Sequence, residues 1–220
     1  MKYFHELQEG VYDPNIFKAF FLAGGPGSGK SYVVRRTTGG LGLKVVNSDP
    51  HFERLIKDAG LSLSMPDAEF DSREPLRVRA KNVREKRKAN FIEGRLGIII
   101  DGTGKDANRL ISQSKGLLEL GYDTHMIFVN TSLDVALQRN SERPRSVPEP
   151  IVVNAWKDVQ KNIGQFTQHF RGNFVAVDNN DANEDELAKV WKIVRNLVGK
   201  KVVNTRAKNW IAMELSKKRK

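Results

Sequence analysis

The sequence predicts an α/β fold, a five-stranded parallel sheet with helices on both faces. Three observations predict it. Five apolar runs of strand length alternate with segments of helical character. The runs hold consecutive apolar residues rather than one at every second position, as strands covered on both sides do. A glycine-rich turn joins the first run to the first helix, at the end of the sheet where such folds bind ligands.

In chain order, FKAFFLA (17–23) is the first strand and 30–38 the first helix. LKVVN (43–47) is the second strand, followed by a helix over 51–59. Ser48-Asp49-Pro50 is a good helix start, with Asp at the N-cap and Pro at the first helical position. GLSLSMPDAEFDS (60–72) reads as a loop. A long basic helix follows over 74–93, where Leu76, Ala80, Val83 and Phe91 supply a thin apolar stripe. LGIIID (96–101), THMIFVN (124–130) and NFVAV (173–177) are the remaining strands. Their helices fall at 105–120, 132–141 and 184–198, with a further one at 149–169. From about residue 200 the chain is a basic amphipathic helix (Val203, Ala207, Trp210, Ile211, Leu215) or a tail. No repeat or low-complexity linker interrupts this order. Residues 1–199 are therefore expected to form one domain and 200–220 a basic appendage.

Composition narrows the function classes. The chain is 39% hydrophobic with eight Pro, as a folded globule is. It has no Cys, which excludes disulfides and thiolate metal sites and fits a reducing cytoplasm. No stretch approaches 18 apolar residues and the first residues lack a signal-like apolar core. A cytoplasmic location without a membrane partner is the expectation. The net charge of +11 is concentrated in two blocks. Residues 73–95 hold nine Lys or Arg against three Glu, and residues 200–220 hold eight against one. Two such blocks on a near-neutral body point to a polyanionic partner, although a basic helix face is also an ordinary solvated surface.

The glycine-rich turn reads Gly24-Gly25-Pro26-Gly27-Ser28-Gly29-Lys30-Ser31, a full match to G-x-x-x-x-G-K-[ST] between a strand and a helix. Glycines let successive N–H groups turn inward as an anion nest, and the helix N-terminus adds its partial positive charge. Lys30 reaches the β- and γ-phosphates, and the Ser31 hydroxyl holds Mg²⁺. The fold is thereby narrowed to a P-loop NTPase three-layer sandwich, with ATP and Mg²⁺ as expected cofactors.

Motors, switches and kinases share such a loop, and other segments choose among them. The third strand ends Ile100-Asp101-Gly102-Thr103, where Asp101 is placed to act on Mg²⁺ with Ser31. Motor ATPases usually follow that acid with a second one that activates water; here Gly102 follows. Guanine-binding switches carry Asn-Lys-x-Asp late in the sheet, and Asp178-Asn179-Asn180-Asp181 lacks the Lys. ALQRNSERPRSVPEP (136–150) reads as an Arg-rich lid, its Arg139, Arg143 and Arg145 suited to charge spread over phosphate oxygens.

GGPGSGKS, an acid after the second strand in VVNSDPHF, IIIDGTG and the later Arg-rich segment together resemble the zeta-toxin and polynucleotide-kinase branch of phosphate-loop kinases. The resemblance spans roughly residues 17–178. It implies that Asp49 takes the proton from an acceptor hydroxyl, a role its place at a strand's carboxyl end also suits. It implies that Asp101, Gly102 and Thr103 stand for the Glu-Gly-Thr usual in zeta toxins, and that the lid arginines neutralise developing charge. The polynucleotide-kinase branch tends to carry an Arg one helical turn after the base; Phe52 stands there, with Arg54 nearby.

On the basic helix, Arg77, Arg84 and Lys88 fall roughly together, at spacings of seven and four. In the resembling kinases this insertion lies beside the acceptor, so these three, with Asp49 and Thr103, are the expected substrate contacts. The expectation is an ATP- and Mg²⁺-dependent kinase acting on a hydroxyl of a phosphate-bearing acceptor, a nucleic-acid end or nucleotide. The alternatives are a nucleotide-sugar kinase of zeta-toxin type and a nucleic-acid-dependent ATPase.

Overall fold

Five parallel strands lie in the order β2-β3-β1-β4-β5. They are β1 Lys18–Ala23, β2 Lys44–Val46, β3 Ile98–Ile100, β4 Asp123–Asn130 and β5 Phe174–Asp178. The computed structural model describes residues 10–143, 146–181 and 183–218. The helices are α1 Lys30–Thr38, α2 Asp49–Asp58, α3 Phe70–Glu93, α4 Ala107–Glu119, α5 Leu133–Ser141, α6 Glu149–Phe170, α7 Glu184–Gly199 and α8 Thr205–Lys218.

The strand interiors are mainly apolar on both sides because alternate residues enter opposite layers; polar residues fall mostly at strand ends, with Thr124 and His125 buried within β4. Phe20 and Leu22 of β1, with Ile99, Ile127 and Val177, pack on Val33 of α1 and Leu187 and Val194 of α7. Ala19, Phe21 and Ala23, with Ile98, Met126 and Phe128, face α4, α6 and α8 through Leu117, Phe166 and Ala207. This is the expected three-layer arrangement. A third cluster joins α2 to α3, with Phe52, Leu55 and Ile56 packed on Ala80 and Leu76.

Two elements differ from expectation. Helix α3 begins at Phe70 rather than near 74, led in by a 3-10 turn over Asp67–Glu69, so Pro75 lies inside the helix. Pro75 is exposed, and water can serve the carbonyl its missing N–H leaves unbonded. At the C-terminal end, α8 is a docked helix. Ala207 is fully buried, Trp210 meets the Phe17 ring edge-on at 5.5 Å between centroids, and the Arg95 guanidinium lies over the indole. Val203 precedes the helix and is exposed, so it does not belong to the buried stripe.

Strand β1 lies between β3 and β4, where the chain order reverses. The segments leaving β1, β2 and β3 thus meet at one end of the sheet, the place where open α/β sheets form their clefts. Among the described residues, no helix is long and apolar enough to cross a membrane.

Candidate functional site

The turn after β1 wraps into a tight cradle because glycines occupy positions that other residues enter only with strain. Gly27 has φ 79°, and a Cβ there would sit 2.0 Å from the Ala136 carbonyl oxygen of α5. Gly29 also has positive φ and is the N-cap of α1. The cradle is tied down on two sides. The Gly24 N–H donates to the Thr103 carbonyl at 2.9 Å, and the Asn179 side-chain amide donates to the Ser28 carbonyl at 2.8 Å. The Lys30 ammonium donates to the carbonyls of Gly24 and Gly25 at 2.6 and 3.1 Å.

One cleft of about 580 Å³ runs from this cradle between α3 and α4. Of the loop residues named from the sequence, Gly25, Pro26, Gly27, Gly29, Lys30 and Ser31 line it, while Gly24 and Ser28 are buried behind it. Asp49 lines it from the first turn of α2; it is itself exposed. Helix α2 starts at Asp49, ahead of the expected 51, and Ser48 rather than Asp49 is its N-cap. Asp101 and Thr103 line the cleft after β3, and Arg77, Arg84 and Lys88 line it from α3.

The lid arginines divide. Arg143 lines the cleft. Arg139 does not; its guanidinium donates to the carbonyls of Asn179 and Asn180 at 2.5 and 2.7 Å, after β5. Arg145 lies outside the described residues. Part of the expected lid is helical, because α5 continues to Ser141 and α6 starts at Glu149. Asn140, buried at the end of α5, closes its base: its amide donates to the Val147 carbonyl at 2.7 Å, and its oxygen accepts the Val147 N–H at 3.0 Å.

The electrostatics of the cleft are coupled. Burial lowers the Lys30 pKa, Asp101 and Asp49 oppose that shift, and Arg143 adds to it. Burial raises the Asp101 pKa, against the opposing Lys30 charge, and Asp49 raises it further. Both carboxylates therefore act on the same ammonium beside the cradle. An anion entering the cradle meets the Lys30 charge in a partly desolvated site, where Coulomb attraction is strong.

Several residues that organise the site carry only weak signals in the sequence. Asn47 donates to Asp101 Oδ2 at 2.7 Å and accepts the Asp49 N–H at 2.7 Å, joining the two carboxylate-bearing segments. Its signal is the Asx-turn pattern, an Asn bonding the backbone two residues on. Asn162 of α6 donates to the carbonyls of Gly104 and Lys105 at 3.0 and 2.9 Å, fixing the loop after Asp101. Trp156, also of α6, donates its indole N–H to the Thr131 carbonyl, and its backbone lies against Gly25. Phe52, at the position where the resembling branch carries Arg, is buried, and the Arg77 guanidinium lies over its ring at 4.7 Å.

A family profile described as zeta toxin matches residues 12–192. No curated protein sequence matches the chain. Among solved structures, a protein from Chloroflexus aurantiacus J-10-fl described as a candidate kinase superposes with a TM-score of 0.57 at 14% identity, over 81% of this chain and 97% of that one. The Pnkp1/Rnl/Hen1 RNA repair complex superposes with a TM-score of 0.53 at 19% identity, over 69% of this chain and 47% of that one. This chain thus spans about half the length of the matched chain of the complex. A gluconokinase from Sinorhizobium meliloti 1021 gives 0.46 at 17% identity, over 83% and 97%. The first two share the fold.

Proposed function

The chain belongs to the zeta-toxin family, and from that premise we propose a kinase that moves the γ-phosphoryl group of ATP, with Mg²⁺, to a hydroxyl of a phosphate-bearing acceptor, a nucleic-acid end or a nucleotide. The observation that carries the proposal is one cleft shared by the phosphate cradle, Asp49 and Asp101.

The residues present fit a nucleotide. The cradle offers inward backbone N–H groups at a helix start. Lys30, held by two carbonyls of the cradle itself, has its charge ready for the β- and γ-phosphates. Ser31 and Asp101 would hold Mg²⁺, which keeps most of its other ligands as water and phosphate oxygen and supplies charge neutralisation. Among the described residues no group of three or more His, Asp or Glu is gathered to hold a metal alone.

Asp49 accepts the acceptor's hydroxyl proton as the oxygen bonds to the γ-phosphorus, and ADP leaves. Asn47 orients this step by holding the Asp49 backbone and the Asp101 carboxylate together. Arg143 supplies positive charge where the transferred group spreads its own over three oxygens. Arg139, engaged with the loop after β5, serves the site by fixing that loop beside the cradle. Family membership favours one second reading, a nucleotide sugar as acceptor.

The test is transfer from γ-labelled ATP to a panel of 5′-hydroxyl DNA and RNA, nucleosides, nucleotides and UDP-N-acetylglucosamine. Label should appear on one acceptor class, and Asp49→Asn should bind ATP yet transfer at least about 100-fold more slowly. Near-wild-type transfer by that variant removes Asp49 from the base role. Release of free phosphate alone, stimulated by nucleic acid, identifies an ATPase instead.

A further inference from the structure

The cleft does not stop at Asp49. Helix α3 carries Arg77, Lys81, Arg84 and Lys88 at intervals of four, three and four, a single stripe along one helix face, and all four line the cleft. Lys105 and Arg109, at the start of α4, line the opposite wall. Three of these six, Arg77, Arg84 and Lys88, are expected from the sequence. The acids among them are few. Glu85 pairs with Arg84 and lies 4.0 Å from Lys88; Asp106, also in the lining, accepts the Arg109 N–H at 2.9 Å; Glu74, outside the lining, pairs with Arg77. Among the described residues, Lys81, Lys105 and Arg109 make no ion pair.

We propose that this α3–α4 trough is a binding track for a single nucleic-acid strand, whose terminal hydroxyl it delivers to Asp49. The proposal rests on the kinase reading for its direction and deepens it by naming the acceptor class. Length decides between a strand and a nucleotide. From Arg77 to Lys88 the stripe rises about 16 Å along the helix. A stacked strand places successive phosphates ~3.4 Å apart along its axis, so three or more fit beside the stripe. The paired phosphates of a single nucleotide or nucleotide sugar would occupy one end and leave the other cations facing one another.

That crowding is visible at Lys88, where burial lowers the ammonium pKa, Glu85 opposes the shift, and Arg84 and Arg109 add to it. Cations gathered across a half-enclosed gap repel until an anion enters. A terminal alcohol beside regularly spaced phosphates is the chemistry of a nucleic-acid end. Among the described lining residues the aromatic one is Phe21, which is buried in the core, so the track holds phosphates and does not read bases.

Fluorescence anisotropy tests the track without ATP, and so apart from catalysis. The probes are labelled 5′-hydroxyl oligothymidylates and oligoadenylates of one to eight nucleotides. Affinity should rise with each added nucleotide to about four and then level. Both base types should bind alike, and the affinity should fall with salt at a log–log slope of about −2 to −3. Lys81→Glu with Arg109→Glu should weaken the eight-nucleotide probe at least tenfold and leave binding of a fluorescent ATP analogue unchanged; Lys81→Gln alone, on an exposed side chain, should give a smaller loss of the same kind. Affinity that does not grow beyond one nucleotide, or variants that bind the long probe as wild type does, would overturn the track. UDP-N-acetylglucosamine phosphorylated with no length-dependent strand binding does the same while leaving the kinase standing. Strand binding without any transfer leaves the track standing and removes the kinase.

Discussion

His125 offers a test of the packing under the site. It lies on β4, 2% exposed, stacked on Phe20 with ring centroids 4.7 Å apart, and among the described residues neither ring nitrogen has a hydrogen-bond partner. Burial lowers its pKa from 6.5 to about 3, with the charges of Lys18 and Lys200 adding to the shift. In the unfolded chain the ring binds a proton below pH 6.5; in the folded protein it stays neutral until about pH 3. The folded state therefore loses stability as pH falls through that window, at about 1.4 kcal/mol per pH unit. Between pH 6.5 and pH 5 the loss amounts to about 2 kcal/mol. His125→Leu removes the titration. Near pH 8 the variant gains about 1–3 kcal/mol from the removed orphan nitrogens and loses about 1 kcal/mol of ring stacking, so the two proteins stay close there. Urea unfolding at pH 8 and pH 5 is the assay. The variant's advantage should grow by about 2 kcal/mol on acidification, roughly 1 M in urea midpoint. Curves that keep a constant separation across the two pH values would refute the buried neutral imidazole.

Gly27→Ala places a methyl group 2.0 Å from the Ala136 carbonyl oxygen in a left-handed backbone; it should cost about 3 kcal/mol of stability and abolish ATP binding measured by calorimetry. Asn47→Ala frees the Asp101 carboxylate and the turn before Asp49; kcat should fall about 10–100-fold with little change in the KM for ATP, as loss of a positioning contact does. Trp210→Ala should lower stability by about 2–3 kcal/mol and leave oligonucleotide affinity unaltered, because the indole is spent on Phe17 and Arg95.

Legibility in the sequence followed the range of the interaction. FKAFFLA announced β1 because a strand covered on both faces needs no polar position, and the glycine-rich turn fixed the start of α1 at Lys30. Asp49, Asp101 and Lys30 were readable because each stands beside a strand end, and strand ends converge in this topology. The supporting contacts were not readable. Asn162 sits 57 residues from Lys105 and looks like any polar residue of a long helix. Local composition places Arg139 with the lid, yet its guanidinium is taken by carbonyls 40 and 41 residues away. The start of α3 was misplaced because Pro75 normally marks a helix boundary, and here solvent tolerates it one turn further in. Arg109 stands outside both basic blocks, so nothing in the sequence joins it to Lys81; only the fold brings α3 and α4 to line the same cleft.

Asn140 fastens both backbone groups of Val147, so the segment bearing Arg143 departs from and returns to a single fixed point. Residues inserted between those ends would lengthen the excursion without touching sheet or helices, and each doubling of such a loop costs only about 0.6 kcal/mol in closure entropy. Divergence in acceptor size can therefore accumulate at this corner by insertion alone, with Asn140 as the residue that has to stay.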